Sequence, residues 1–139
     1  DVYIEQQHGR DEVGLSFRIR HTGEADIKVT IKNPKGEIIY EGGRTEVAIE
    51  NPQLWWPNGL GSQPLYEVTI ELLQEDVVVD SMVRRIGLRT MTVVREKDQW
   101  GESFAHCVNG QTFFAMGADY IPGDNLFQRI TPERTRKLL

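Results

Sequence analysis

The sequence predicts an all-β protein, and three observations carry the prediction. Apolar and polar residues alternate with a period of two through roughly the first 95 residues. The alternating runs are short and separated by turn-forming residues, and no stretch of helical periodicity interrupts them. With 139 residues, 39% of them hydrophobic and 27% charged, the chain has the make-up of a globular domain with enough length to bury a core.

The elements follow in order. "VYIEQQ" opens the chain as a strand. In "VGLSFRIRH", Val13, Leu15, Phe17 and Ile19 fall on one face, with Gly14, Ser16, Arg18 and Arg20 on the other. That is the signature of a strand with one buried and one wet side. "DIKVTIK" repeats it, with Ile27, Val29 and Ile31 set against Lys28, Thr30 and Lys32. "NPKG" then supplies Asn, Pro and Gly at the first, second and fourth positions of a type I turn. "EIIY" resumes the strand, "EGG" breaks it, and "TEVAIE" places Val47 and Ile49 inward. "LYEVTIELL" alternates again through Tyr66, Val68, Ile70 and Leu72, and "DVVVDSMVRRIGL" and "TMTVV" complete the set. This number, length and spacing of strands describe an immunoglobulin-like antiparallel β-sandwich over residues 1–96.

Near Arg95 the character changes. "REKDQWGE" is a charged linker in which Trp100 is expected to act as an anchor. Asn109-Gly110 lies between two apolar runs, a strong hairpin signal. "PGDNLFQRI" reads as a loop, and "TPERTRKLL" opens a helix with Thr131 as N-cap, Pro132 at the first helical position and Glu133 in the first turn. Residues 97–139 are too few for a core of their own. They are therefore expected to be a linker, a hairpin and the start of a second, incomplete domain. The opening "DVYIEQQHGRDEV" has no initiator Met and no leader pattern, so the chain is expected to begin inside a longer protein.

Several function classes fall away. A net charge of −5 with scattered basic residues argues against a nucleic-acid surface. No apolar run reaches the ~20 residues of a membrane helix. The single cysteine, Cys107, excludes an internal disulfide and a Cys-rich zinc site and reads as a buried structural thiol. His8, His21 and His106 have no metal-binding spacing, and no cofactor is implied. The compartment stays open, tilting toward the cytoplasm.

"NPQLWWPNGLGSQPLYEV", "RRIGLRTM", "VNGQTFFAMGADYIPGDN" and "ITPERTRKLL" occur in this order and spacing. Together they resemble the β-mannosidase-like branch of glycoside hydrolase family 2. The resemblance covers essentially the whole chain and is most specific over residues 51–139. It implies a parent enzyme with a jelly-roll-like sandwich, immunoglobulin-like sandwiches and a catalytic (β/α)8 barrel. Residues 1–96 would be the sandwich before the barrel, "FFAMGADYI" the first barrel strand, and "TPERTRKLL" the start of the first barrel helix. The parent would hydrolyse terminal β-D-mannose from a β-mannoside-type oligosaccharide or glycoprotein glycan. Intramolecular partners would be the jelly-roll and the barrel. An exo-β-glucosaminidase of the same family, a carbohydrate-binding module and a purely structural sandwich remain alternatives.

Retaining glycosidases use two carboxyl groups only ~5–5.5 Å apart. In the family these glutamates sit on later barrel strands, so no catalytic residue is expected in this chain and it is expected to be inactive alone. A barrel builds its site at the C-terminal ends of its strands. That makes Asp119, Tyr120 and Asp124 candidates for sugar contact at the rim, or else residues that merely satisfy loop backbone. Family members commonly read "GANWIPAD" here, so Asp119 and Tyr120 replace an amide and an indole, and only the acid at Asp124 is kept.

Trp55 and Trp56 admit three roles: sugar-stacking platform, core, or packing between domains. Adjacent residues of an extended segment point to opposite sides, so one ring serving the core and the other an interface is the favoured reading. Arg89, in "RRIGLRT", joins them as a candidate for inter-domain packing, with Arg84 and Arg85 either in ion pairs or simply solvated.

Overall fold

Two antiparallel sheets face each other across an apolar core. The computed structural model describes residues 1–117 and 119–138. β1 (Val2–His8), β2 (Glu12–Ile19) and β5 (Glu46–Glu50) form one sheet in the order β1-β2-β5. β3 (Asp26–Lys32), β4 (Ile38–Gly42), β6 (Tyr66–Gln74) and β7 (Val77–Ile86) form the other in the order β4-β3-β6-β7. The fourth strand pairs with β3 and not with β5, whereas an antibody constant domain places four strands on the first sheet and three on the second. The architecture is the immunoglobulin-like sandwich that the alternation predicts.

The alternation explains the core residue by residue. Val13, Leu15 and Phe17 of β2, Val29 and Ile31 of β3, Ile49 of β5, and Tyr66, Val68 and Ile70 of β6 are buried together with Leu88. Each fully buried aliphatic side chain contributes roughly 1.5–3 kcal/mol of transfer free energy. The outer face of the second sheet is ionic instead. Lys32 Nζ lies 2.9 Å from Glu67 Oε1, Lys28 Nζ lies 3.0 Å from Glu41 Oε1, and Arg18 pairs with Glu5 on the opposite sheet.

Turn chemistry sets the registers. Asn33 Oδ1 accepts from the N–H groups of Lys35 and Glu37, and Gly36 N–H closes the turn onto Asn33 O at 2.9 Å. β6 and β7 meet through Glu75 and Asp76, both left-handed at φ 48° and 63°. That is the primed turn whose twist matches a hairpin. Tyr66 Oη accepts the Gln53 N–H at 2.9 Å. It pins the long β5–β6 connection as the tyrosine corner does in related sandwiches.

A second, smaller sheet follows. β8 (Met91–Val94), β9 (Ala105–Val108) and β10 (Gln111–Phe113) are antiparallel in the order β10-β9-β8. "TMTVV" is thus a strand, as its pattern suggests, but it leaves the sandwich and pairs with β9. Asn109 and Gly110 make the expected two-residue hairpin at φ 48° and 82°. Cys107 is buried in β9.

Beyond Phe113 the sequence reading needs correction. "FFAMGADYI" is extended only to Phe113, and the described residues 114–117 and 119–126 form no strand. A parallel strand is held by hydrogen bonds from its neighbours, and among the described residues this segment has none. Ala118, within that stretch, lies outside the described residues. A 3-10 turn (Phe127–Arg129) precedes α1 (Pro132–Arg136), where Thr131 caps the helix by accepting from Arg134 N–H and Pro132 leads it, as expected. Leu139, assigned from sequence to the same helix, is also outside the described residues. Trp100 does not anchor the linker: the residue is 86% exposed, and among the described residues its one hydrogen bond is from its backbone N–H to Asp98 Oδ1 at 2.8 Å.

Candidate functional site

The tryptophan loop is positioned by backbone bonds and by proline. Pro52, Pro57 and Pro64 fix φ along the segment. Leu54 forms a parallel bridge with Leu88, and Trp55 N–H donates to Leu88 O at 2.9 Å. Trp56 N–H donates to Ser62 O at 3.0 Å, closing the loop on itself. Both rings are half-buried and serve different neighbours. Trp56 lies on Gly61, where an added Cβ would stand 2.9 Å from the ring. Trp55 lies on Gly87, where a Cβ would come within 2.8 Å of Cδ1 and 2.9 Å of Cβ. The glycine in "RRIGLRT" is therefore the floor under Trp55.

Four polar groups complete this junction. Arg89 Cζ stands 4.5 Å above the Trp55 ring, a cation–π contact of about 0.5–1 kcal/mol at an exposed site. Asn109 Nδ2 donates to Trp55 O at 3.0 Å, while its Oδ1 accepts Thr90 N–H at 3.0 Å. The hairpin residue therefore bolts the small sheet to the sandwich through both ends of one amide. On the other side, Gln6 Nε2 donates to Gly87 O and Gln6 Oε1 accepts Arg89 N–H, each at 3.1 Å. His8 Nε2 lies 3.1 Å from the same Gln6 oxygen. Burial holds the His8 imidazole below its ordinary 6.5, opposed by a hydrogen bond with the Arg89 backbone.

The sequence singled out Trp55, Trp56 and Arg89, and the fold brings Trp55 and Arg89 together. Gln6, Gly87 and Asn109 were missed as junction residues. Asn109 carried only a turn signal, and nothing in the local pattern around Gln6 distinguishes it from other half-buried strand residues.

The second candidate cluster is looser. Asp124 Oδ1 accepts Leu126 N–H at 2.9 Å, and Oδ2 lies 4.0 Å from Arg129. Arg134 donates to Gly123 O at 3.0 Å, tying α1 to this loop. Asp119 and Tyr120 are exposed, and among the described residues no hydrogen bond or ion pair joins them to Asp124. Among the described residues, no group of three or more His, Cys, Asp or Glu side chains is placed to hold a metal ion. Among the described residues, no helix is long and apolar enough to cross a membrane.

The fold and junction define an immunoglobulin-like sandwich whose tryptophan loop is hydrogen-bonded to the small sheet through Asn109. The chain belongs to glycosyl hydrolases family 2, whose family model matches residues 1–89, the sandwich together with Arg89. Its sequence places it with the β-mannosidase-like members. It is 40% identical over 94 residues to β-mannosidase B of Emericella nidulans, covering 68% of this chain and 11% of that enzyme. It is 43% identical over 108 residues to β-mannosidase B of Aspergillus flavus, covering 78% of this chain and 12% of that enzyme. The chain thus spans about a tenth of the length of these curated relatives. Among solved structures, the apo β-glucuronidase of Ruminococcus gnavus superposes with a TM-score of 0.66 at 19% identity, covering 84% of this chain and 18% of that one. That likeness concerns the fold.

Proposed function

We propose that this chain is the immunoglobulin-like domain of a retaining exo-β-glycosidase, a β-mannosidase that releases terminal β-D-mannose from oligosaccharide or glycoprotein glycan. The observation that carries the reading is the 40–43% identity to β-mannosidases B. In this reading residues 1–96 are the sandwich and residues 97–139 lead into a catalytic barrel. The chain is a scaffold and contributes no catalytic glutamate. Trp55, Trp56 and Arg89 fix the sandwich against its neighbours, so that the barrel entrance keeps its shape. Asp124, with Asp119 and Tyr120 beside it, stands at the rim, where carboxylates accept hydroxyl hydrogen bonds and a phenol ring can stack on a sugar.

The test is a transplant. The homologous segment of Emericella nidulans β-mannosidase B is replaced by this chain, and hydrolysis of aryl β-D-mannoside, β-D-glucosaminide and β-D-glucuronide is measured. Mannosidase activity is expected in the chimera and none in the isolated chain. Asp124→Ala in the chimera is expected to raise KM with little change in kcat, as the loss of a ground-state contact does. A chimera that folds but hydrolyses none of the three, or an isolated chain that turns over mannoside, would sink the proposal.

A further inference from the structure

β7 is the outermost strand of its sheet, pairs with β6 on one side, and among the described residues has no partner on the other. It is also the longest strand at ten residues. Val77, Val78, Val79 and Val83 are 63%, 48%, 52% and 52% exposed. Long apolar edges invite another strand, and folded proteins usually blunt them with Pro, Lys or a bulge. Here a register shift opposite Leu72 and Leu73 breaks the edge, and the charges of Asp80, Arg84 and Arg85 interrupt its apolar character along the regular stretch from Asp80 to Ile86.

That regular stretch is self-complementary. Asp80 faces Leu72 and Arg84 faces Val68 across the β6–β7 ladder, so both project from the core-side face of the sheet at its edge. Both are exposed and, among the described residues, neither makes an ion pair. Each bonds instead to the backbone of its own strand, Asp80 Oδ1 accepting the Ser81 N–H at 2.8 Å and Arg84 Nη1 donating to Val83 O at 3.2 Å, bonds that a pairing strand would replace. When a strand pairs antiparallel with its own copy, facing residues must lie on the same face of the sheet. Centred on Met82, the pairing sets Asp80 opposite the second copy's Arg84, twice by symmetry. Centred on Ser81 or Val83 it opposes no charges, and centred on Asp80 or Arg84 it sets like charges against each other. One register therefore stands out, and it is the isologous arrangement of a two-fold dimer.

We propose that β7 is a self-association edge, through which two copies of the chain pair antiparallel about Met82 and join their four-stranded sheets into one. The charge pattern favours a second copy over a foreign strand, because the strand carries both halves of the complement itself. The contact is short, so the dimer belongs with small, transient interfaces.

Sedimentation equilibrium of the 139-residue chain tests this, with circular dichroism confirming the fold of each variant. The wild type is expected to show a concentration-dependent monomer–dimer equilibrium between micromolar and near-millimolar chain. Asp80→Arg or Arg84→Asp alone sets like charges opposite each other and is expected to weaken the dimer roughly ten-fold. The double exchange D80R/R84D restores the complement and is expected to restore the dimer. A wild type that stays monomeric throughout overturns the proposal and leaves the edge to a different partner. Association that ignores both single variants, or a double exchange that fails to rescue, also overturns it by locating the contact elsewhere, as on the exposed aromatics after β10.

Discussion

The sandwich and the segment that follows it contain similar side chains in opposite circumstances. Across the sandwich, Leu15, Val29, Ile31, Val68 and Leu88 are at most 1% exposed. After it, Cys107 and Val108 are buried, while Trp100, Phe114, Met116 and Ile121 stand 85–88% exposed. Apolar content is thus not what separates a core from a surface. Two layers must face each other, and the sandwich has two sheets where the later segment has one small sheet, a loop and a short helix. What joins the regions is the Trp55–Asn109 junction, a set of directional contacts and not a continuous core.

The contrast can be broken most forcefully from inside the sandwich. Leu15→Ala removes a side chain with no room to collapse around and is expected to cost about 2–5 kcal/mol in denaturant unfolding. Phe114→Ala, at an 86% exposed position, is expected to stay within about 0.5 kcal/mol of wild type. Equal losses at the two positions would erase the distinction.

Gly87→Ala probes the junction. The new methyl would stand 2.8 Å from the Trp55 ring, so a cost of about 1–3 kcal/mol is expected. The same substitution in a Trp55→Ala background should cost much less, and an additive double-mutant cycle would show that the ring is not the obstacle. A smaller effect is expected from Asn109→Gly, which keeps the left-handed turn but deletes both amide bonds. About 1–2 kcal/mol should be lost, read as faster exchange in β8–β10 with the β2, β3 and β6 amides unchanged.

The smallest effect is electrostatic. Burial lowers the His8 pKa below its ordinary 6.5, so the unfolded chain binds the proton more readily than the native one. Its contribution to stability is complete above about pH 6.5 and is lost as pH falls toward the lowered native value. His8→Gln should flatten a shallow decline in thermal midpoint across that window, and an unaltered slope would assign the decline to other groups.

Much of the sandwich was legible because period-two alternation reports directly which side chains face inward. Val13, Leu15 and Phe17, or Tyr66, Val68 and Ile70, need no knowledge of their partners to be placed. Sheet membership is a different kind of information. Met91–Val94 reads correctly as a strand, yet its partner is β9, and pairing between segments leaves no trace in local periodicity. The same limit explains the site. Trp55 and Arg89 stand out by residue type, whereas Gln6 lies more than eighty residues from the backbone groups it holds. Residues 114–117 and 119–121 illustrate the converse. The family resemblance assigns them to a strand, but a strand forms only where neighbours supply its hydrogen bonds.

Native-state hydrogen exchange on the wild-type chain and on Trp55→Ala tests the central claim most directly. Slowest exchange is predicted in β2, β3 and β6, intermediate exchange in β8–β10, and fast exchange through the described residues after Phe113. In Trp55→Ala, the β8–β10 amides should lose protection while the sandwich core keeps most of its own. Uniform protection along the wild-type chain, or β8–β10 amides indifferent to the loss of Trp55, would contradict a self-sufficient sandwich joined to the next element through its tryptophan loop.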